Sequence, residues 1–532
     1  PGDLSMGWVF LSGHGRGLYL ASRDQSLIGV SLTAGIRPGD GAIGARHYGI
    51  VAPGGSRDYA YALALGNTDW HWAADHYRTW ASSWMKRPNA PEWARRSDGW
   101  YSIDSDTEAA LLDRRSVTIF DNARWLGLTH LQLWVGCGDG MFVGRMPYLS
   151  PRLGTPEAAR RDSERIRQWG GHIGHYIQAR EWSAAYGTTD MVGYVPRAAF
   201  PADVLIEDAQ WSARNTLQSA GIFGSPQPYE IMCPSSAEWQ THIVRHARER
   251  VSLFGNDAAY FDQMGCTAMG CAAGHAPHGA EQQCSGRGYT EMAAQALAAM
   301  RTENPACAIA NEGMSAATGQ SVYFHLASSR PYMEHGKEFL YTFPDLAVVR
   351  GYSNGVFSYQ GMPLRAFLRG QSLFHRFEMP AFDPYARDLL LLRKRFHDWQ
   401  YDGRFMDDAG LAVDEGRPVE ALEARRRIRA KWFLHGDGIL ITYCNEDAVP
   451  SARLTLDCAR IPLKLAAHAV AMTDDGSAIS CAATVTETAV SLALPARTVG
   501  SIAIPSETIS PEARMRLFAW QATDTLTPRV HV

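Results

Sequence analysis

The sequence predicts an α/β protein built around a (β/α)8 TIM-type catalytic barrel, with a β-sandwich domain on its N-terminal side and another on its C-terminal side. From residue 97 to about 425, short apolar runs alternate with segments of helical periodicity, and parallel strands need such crossover helices. Before residue 75 and after residue 430, short strand-like runs are separated by Gly, Ser and Pro. A chain of 532 residues is also too long for one compact core.

The first 75 residues predict part of an N-terminal β-sandwich. Leu27–Leu32 and Tyr59–Leu65 are short alternating runs typical of antiparallel strands. From Trp70 to Trp84, bulky and apolar residues recur at steps of three and four, which predicts a helix. The proline-rich stretch Arg87–Pro91 follows, so we expect residues 76–96 to link the sandwich to the barrel.

Seven barrel strands are recognisable between residues 97 and 425, one fewer than a closed barrel needs. They are Gly99–Ile103, His130–Val135, His172–Ala179, Ala258–Asp262, Ala308–Glu312, Val322–Ala327 and Leu346–Tyr352. Helical patterns such as Pro156–Trp169 and Tyr289–Arg301 lie between several of them. Residues 430–532 return to short strands, which predicts the C-terminal β-sandwich.

The net charge and the lengths of the apolar runs limit the kinds of binding partner that we expect. The formal charge is −4, from 51 basic and 55 acidic residues, and gives no reason to expect nucleic acid or a membrane surface. There is no run of 18 apolar residues, so we expect no membrane-spanning helix. The first residues lack a signal-peptide pattern but already look like strand, so bacterial cytoplasmic and exported locations both stay open. The oligomeric state stays open as well.

Two acidic motifs suggest the chemistry: Tyr260–Gly265 and Ala308–Gly313 each begin as an apolar run that ends on a carboxylate. The carboxyl ends of barrel strands form the face where barrel enzymes carry their active sites. Counted along the chain, Asp262 ends the fourth strand and Glu312 the fifth. Neighbouring strand ends suit the carboxyl separation of about 5–5.5 Å found in retaining glycosidases, whereas inverting enzymes need about 6.5–9.5 Å.

We therefore predict that Asp262 is a nucleophile and that Glu312, with its longer side chain, is the acid/base. The motifs alone do not assign these roles. A helix-capping role for Asp262 and a self-stabilising Asn-Glu-Gly turn at Glu312 are the structural alternatives.

Residues near the strand ends are candidates for sugar binding, because aromatic faces stack on sugar rings and polar groups bond hydroxyls. A core or helix-capping role is the alternative for each of them. The predicted set is Trp134, Asp139, His175, Tyr176, Gln263, His275, His278, Asn311, His335 and Tyr352, with Gln178 near the third strand.

A loop after the first acidic motif holds three cysteines and two histidines: Cys266, Cys271, Cys284, His275 and His278. Their spacing matches no common structural zinc motif, so we predict no metal and no cofactor. A disulfide in an exported protein and a metal site remain alternatives. As the loop leaves the fourth strand, we expect its histidines to lie over the pocket.

The chain resembles a mostly uncharacterised family of barrel proteins related to the endo-α-N-acetylgalactosaminidases and similar retaining α-glycosidases. The resemblance rests on Trp70–Trp80, Asp98–Trp100, Met232–Gln240 and the two acidic motifs. It implies α-specificity and a carbohydrate substrate, whether oligosaccharide, polysaccharide or glycoconjugate. In the related enzymes, an Asp at one strand end is the nucleophile and a Glu at the next is the acid/base, roles that motif matching carries to Asp262 and Glu312.

Three other functions remain open. An inverting glycosidase would pair Asp262 with another acid, such as Asp139, Glu230 or Glu334. A carbohydrate-binding barrel without catalysis would not need the intact acidic pair. A metal-dependent hydrolase would use the Cys/His loop instead.

Overall fold

The computed structural model describes most of the chain in segments. They are residues 6–13, 15–27, 30–37, 40–47, 53–67, 69–103, 119–133, 155–183, 229–265, 285–327, 330–350, 361–376, 383–414, 428–446, 452–479, 481, 483–512 and 517. The described residues belong to two compact units, one drawn from residues 1–121, 129–351 and 374–379, and the other from residues 122–128, 352–373 and 380–532.

The N-terminal segment forms antiparallel sheets, as predicted. Its elements are β1 (Trp8–Gly13), β2 (Arg16–Ser22), β3 (Val30–Arg37), β4 (Asp40–His47), β5 (Tyr61–Gly66) and helix α1 (Trp70–Ser82). Strands β1, β2 and β5 make one sheet, and β3 pairs with β4. Phe10 and Tyr19 face Trp72 of α1 with ring centroids 6.4 and 6.2 Å apart, so one face of the sheet is covered by this helix.

Eight parallel strands close into a barrel, which confirms the predicted fold class. They are β6 (Gly99–Ile103), β7 (His130–Leu133), β8 (His172–Gln178), β11 (Ala258–Asp262), β12 (Ala308–Glu312), β13 (Phe324–Ala327), β14 (Ala347–Arg350) and β15 (Ser372–Arg376), adjacent in this order around the ring. A short antiparallel pair, β9 (Glu181–Ser183) and β10 (Tyr229–Ile231), lies outside it. The strand that sequence analysis missed is β15, whose sequence Ser-Leu-Phe-His-Arg contains no longer apolar run.

Helices alternate with these strands. They are α2 (Glu92–Arg95), α3 (Pro156–Gln168), α4 (Ala237–Phe254), α5 (Ser285–Glu303) and α6 (Arg330–Thr342). Helix α2 sits at the amino-terminal end of the barrel, because Trp93 stacks on His172 at 4.3 Å and meets His130 edge-on at 5.5 Å. The opposite, carboxyl-terminal end is the one to which barrel strands deliver active-site residues.

Alternation along each barrel strand decides which side chains face the interior. Tyr260 packs inside with Trp100 and Phe324, whereas Ala259 and Phe261 pack outside among helix side chains. Successive strand residues point to opposite faces. A residue two positions beyond Tyr260 therefore points into the barrel.

The second unit contains helices and a two-layered β-structure, which confirms the predicted C-terminal sandwich. Its elements are α7 (Met362–Arg369), α8 (Pro384–Arg395), α9 (His397–Tyr401), β16 (Arg404–Asp407), β17 (Leu411–Asp414), β18 (Ile428–His435), β19 (Gly438–Asn445), β20 (Ala452–Asp457), β21 (Val470–Thr473), β22 (Ala478–Ile479), β23 (Ala483–Val485), β24 (Ala489–Leu494) and β25 (Thr498–Pro505). Sheet β16-β18-β19-β25-β21-β22 shares one core with sheet β17-β20-β24-β23, in which Trp432 and Ile441 of the first pack with Leu454 and Leu492 of the second.

Among the helices that the structure describes, none has the length and apolar character needed to span a bilayer.

Candidate active site

Asp262 is the last residue of β11, the fourth barrel strand, as predicted. It lies two positions beyond Tyr260, so its carboxylate points into the barrel at the carboxyl end of the strand. Its exposed fraction is only 6%. A carboxylate this buried requires hydrogen-bond donors or a charged partner.

Glu312 ends β12, the neighbouring fifth strand, also as predicted. The last paired residues of the two strands are Phe261 and Asn311. The residues that follow them, Asp262 and Glu312, therefore lie side by side. Ala310, two positions before Glu312, packs inside the barrel, and Glu312 therefore faces the same interior. Neighbouring strands lie about 4.7–4.9 Å apart, so the backbones of Asp262 and Glu312 are neighbours at one end of the barrel.

Backbone contacts of two glycines tie these strand ends to one another. The Gly265 N–H donates to the Glu312 carbonyl over 2.8 Å, and the Gly313 N–H donates to the Leu326 carbonyl of β13 over 2.8 Å. Gly313 has φ +82°, a left-handed conformation that favours glycine. The final glycine of each acidic motif thus links consecutive barrel strands.

Side chains of two adjacent barrel strands, β8 and β11, donate to the Asp262 carboxylate. Tyr176 Oη donates to Asp262 Oδ2 over 2.7 Å, and Gln178 Nε2 donates to the same oxygen over 3.2 Å. The Tyr260 hydroxyl makes a longer contact of 3.5 Å with Oδ1. These hydrogen bonds compensate for removing the carboxylate from water.

Arg180 is a site residue that sequence analysis missed. Its backbone N–H donates to Gln178 Oε1 over 3.0 Å, and its guanidinium Nη1 donates to Gln263 Oε1 over 3.0 Å. Gln263 has φ +59°, so the chain turns sharply just after Asp262. Arg180 lies two residues beyond the end of β8. No local sequence pattern marks it as a site residue, because its partner Gln263 is 83 positions away.

Tyr176, predicted to bind sugar, lies inside the barrel and contacts Asp262. Gln263 follows Asp262 directly, but its amide oxygen is engaged by Arg180. The structure therefore brings Tyr176, Gln178, Gln263 and Asp262 together in one hydrogen-bonded group, with Glu312 beside it.

His175 does not line the interior, contrary to the expectation. It alternates with Tyr176 and so points outward, where it contacts the amide of Asn256 and the ring of Phe254. Burial, with a further contribution from the charge of Arg250, lowers the pKa of His175 to about 3. A neutral histidine in the layer between strand and helix is a core residue.

Asn311 also faces away from the barrel interior. Its amide donates to the Thr318 hydroxyl over 3.1 Å, and the residue is fully buried. It alternates with Glu312, so the two side chains lie on opposite faces of β12. This placement does not favour the predicted contact between Asn311 and a sugar.

His335, predicted as a sugar-binding residue near a strand end, lies in helix α6. Its side chain is 65% exposed, and its Nδ1 is 3.9 Å from a carboxylate oxygen of Glu338. That spacing is the i, i+3 pairing of a helix surface. Glu334 belongs to the same helix, and Glu230 to β10.

The remaining predicted site residues lie outside the described residues. They are Trp134, Asp139, His275, His278 and Tyr352. The three cysteines of the Cys/His loop, Cys266, Cys271 and Cys284, lie outside them too, so the predicted absence of a metal stays a prediction.

Solved structures with the same architecture include several α-glycosidases. An α-N-acetylgalactosaminidase from Bifidobacterium bifidum, solved with GalNAc, superimposes with a TM-score of 0.57 at 14% identity, over 83% of this chain and 72% of that one. A GH36 α-galactosidase from Geobacillus stearothermophilus gives 0.52 at 10% identity, over 94% and 72%. A noncanonic maltogenic α-amylase from Thermotoga neapolitana gives 0.50 at 11%, over 77% and 99%.

At these identities the similarity establishes a shared fold, and it confirms the barrel architecture that the family resemblance implied. No curated protein is similar enough to the chain to match it. The model of a family described as a domain of unknown function, DUF6259, matches residues 56–322. This match spans half of the 532-residue chain and includes both acidic motifs, and the protein therefore belongs to the DUF6259 family.

Proposed function

We propose that this protein is a retaining glycoside hydrolase that cleaves α-linked sugars. The observation that carries the proposal is the position of Asp262 and Glu312, side by side on the interior face at the carboxyl ends of adjacent barrel strands. Barrel enzymes carry catalytic residues at this end. Retaining glycosidases need two carboxyl groups about 5–5.5 Å apart, a separation compatible with adjacent strand ends.

In the proposed reaction, Asp262 and Glu312 act together in two steps. In the first step, the Asp262 carboxylate attacks the anomeric carbon while Glu312 gives its proton to the departing glycosidic oxygen. An ester between Asp262 and the sugar forms, and the aglycone leaves as an alcohol. In the second step, Glu312 takes a proton from water, the water oxygen attacks the anomeric carbon, and the Asp262 carboxylate is released.

The assignment of roles rests on burial and hydrogen bonding. Asp262 is 6% exposed and accepts hydrogen bonds from Tyr176 and Gln178, which suits a group that must be ionised before it attacks. Glu312 is half-buried, so it can reach both the leaving group and water. The α-specificity rests on the family resemblance and on structural neighbours described as an α-N-acetylgalactosaminidase and an α-galactosidase.

The test is hydrolysis of a panel of 4-nitrophenyl α- and β-glycosides by the wild type, Asp262→Asn and Glu312→Gln. We expect kcat to fall at least about 10³-fold for Asp262→Asn, which removes the nucleophile. For Glu312→Gln we expect a fall of about 10²–10⁴-fold, the usual contribution of an acid/base. Azide should restore turnover in the variants and yield glycosyl azides, and NMR should show a first-formed sugar with the anomeric configuration of the substrate.

Two substitutions of carboxylates outside the site serve as controls. Asp345→Asn removes a carboxylate that is 62% exposed and paired with Arg87, and Glu303→Gln removes one paired with Arg248 at the end of α5. Both should keep wild-type turnover. Inversion of configuration would replace the proposal with an inverting mechanism, and absence of turnover by the wild type would leave a carbohydrate-binding barrel.

A further inference from the structure

We propose that Arg180 is a positioning residue for Asp262: its guanidinium holds the side chain of Gln263 and thereby fixes the turn that directly follows Asp262. This inference rests on the proposed function, since it concerns how the nucleophile is placed. It gives Gln263 a role that differs from the sugar contact predicted from the sequence. The hydrogen bond that carries it joins Arg180 Nη1 to Gln263 Oε1 over 3.0 Å.

Gln263 is the residue at which the chain turns away from β11. Its φ of +59° lies in the left-handed region, which residues other than glycine rarely adopt. Such conformations persist where surrounding contacts hold them. The turn then passes through the buried Met264 and reaches Gly265, whose N–H is bonded to the Glu312 carbonyl. A change in the backbone of Gln263 would therefore move Asp262 relative to the end of β12.

The backbone of Arg180 is held on both sides, which limits where its side chain can go. Its N–H donates to Gln178 Oε1 over 3.0 Å, and its carbonyl accepts from the Met232 N–H over 2.9 Å. Arg180 is also only 4% exposed. A buried, planar guanidinium on a fixed backbone has few other conformations, so it is suited to hold Gln263 in one place.

Strand pairing brings the two side chains together. Asp262 pairs with Gln178 in register, so the residues that follow β8 and β11 leave the barrel side by side. Arg180 joins these two segments at the residue next to Asp262. Gln178 Nε2 donates to Asp262 Oδ2 over 3.2 Å, so the carboxylate is held through its side chain as well as through its backbone. Reacting groups must be placed this closely for a nucleophile to attack efficiently.

The experiment removes the hydrogen bond from either end, with Arg180→Met and Gln263→Met, and uses the 2,4-dinitrophenyl glycoside of the sugar that the panel identifies. Each variant should lower kcat about 10- to 100-fold, because a displacement of about 1 Å costs up to about 10²-fold. KM should stay within about 3-fold, since under this inference neither side chain contacts the sugar. Arg180→Lys keeps a donor and the positive charge, so its loss should be smaller.

A double-mutant cycle tests whether the two residues act through one another. Because both single variants break the same bond, kcat of the double variant should lie within about 3-fold of either single variant. Two independent roles would instead multiply the losses. In an Asp262→Ala background with azide as nucleophile, adding Arg180→Met should change the rescued rate less than about 3-fold, because the turn does not hold azide.

Arg301→Met is the matched control. Arg301 is a half-buried arginine of α5, and its Nε donates to the Cys307 carbonyl over 3.2 Å. Cys307 comes just before β12, at the end of the barrel opposite to Asp262. This variant should be less stable than the wild type in urea denaturation but keep kcat within about 2-fold.

Four results would overturn the inference and leave the proposed function intact. They are wild-type kcat in both Arg180→Met and Gln263→Met, losses that multiply in the double variant, an equal fall of kcat in Arg301→Met, and an undiminished loss under azide rescue. Where Arg180→Met does not fold, as judged by thermal melting, Arg180→Lys takes its place in the cycle. Full activity of Asp262→Asn, or no cleavage of any panel glycoside by the wild type, would overturn the proposed function and the inference with it.

Discussion

A hydrogen bond and a close contact at one glycine hold the carboxyl ends of two barrel strands together. The Gly265 N–H donates to the Glu312 carbonyl, so the turn after β11 is bonded to the end of β12. A Cβ at Gly265 would lie 2.7 Å from that same carbonyl oxygen and 2.7 Å from Asn311 Nδ2. Glycine is therefore required here by close approach of the backbone.

We predict that Gly265→Ala destabilises the protein by about 1–3 kcal/mol, the usual cost of forcing atoms into a packed site. The backbone must move to relieve the contact, and this shifts Asp262 relative to Glu312. Because small displacements of reacting groups cost about 10²-fold in rate, kcat on the panel substrate should fall by a similar factor. Urea denaturation and steady-state kinetics measure the two effects.

Gly361→Ala is the matched control. Gly361 has φ −86° before helix α7, and a Cβ there meets nothing within 4 Å. Its free energy of unfolding should stay within about 0.5 kcal/mol of the wild type. Wild-type kcat in Gly265→Ala would argue against the link between the two strand ends.

Helix α4 shows how an element supports the site from outside the barrel. Ser236 caps its first turn by accepting the Trp239 N–H, and Gly255 ends it in a left-handed conformation. Trp239 is fully buried, and its indole N–H donates to the Ala179 carbonyl over 3.0 Å. Ala179 follows β8, so the helix holds the end of the strand that carries Tyr176.

We predict that Trp239→Phe lowers the free energy of unfolding by about 2–4 kcal/mol, because it leaves a cavity and a buried carbonyl without its donor. Leu253→Ala is the control on the same helix, since this leucine is 40% exposed. It should change stability by no more than about 0.5 kcal/mol. Equal losses in the two variants, measured by urea denaturation, would contradict the role given to the indole.

The molecule as a whole buries several histidines in neutral form. Burial is the largest cause that lowers the pKa values of His130, His175 and His325 to about 3, against an ordinary value of 6.5. Between these values the unfolded chain binds protons that the folded protein does not. The contribution of these histidines to the free energy of unfolding is therefore fully present above about pH 6.5 and is lost as the pH drops toward 3.

We predict that the free energy of unfolding stays nearly constant from pH 7.5 to about pH 6.5 and then decreases toward pH 4, by up to about 1.4 kcal/mol per pH unit for each such histidine. His325→Gln should reduce the slope of the unfolding free energy against pH by the contribution of one histidine. His335→Gln should leave the slope unchanged, since His335 is exposed on α6. Denaturation curves at four pH values check both, and an unchanged slope in His325→Gln would rule out its contribution.

The sequence by itself determined the local features: most of the strands, the helices that return the chain, and the two motifs that end on Asp262 and Glu312. These follow from periodicity and from the abrupt end of apolar runs, which depend on neighbouring residues. The predicted domain limits at residues 75, 96 and 425, and the catalytic roles, stay predictions. The eighth strand was missed because Ser372–Arg376 becomes a barrel strand through its neighbours rather than through its own composition.

Only the tertiary structure decided which side chains meet. Tyr176 is 86 positions before Asp262, and strand pairing brings their oxygens to 2.7 Å. The same pairing turned His175 and Asn311 away, because side chains alternate across a strand and the register settles which of them face inward. Contacts between distant residues carry no signal in a local pattern, and this is why the strand ends were predictable while the hydrogen bonds around Asp262 were not.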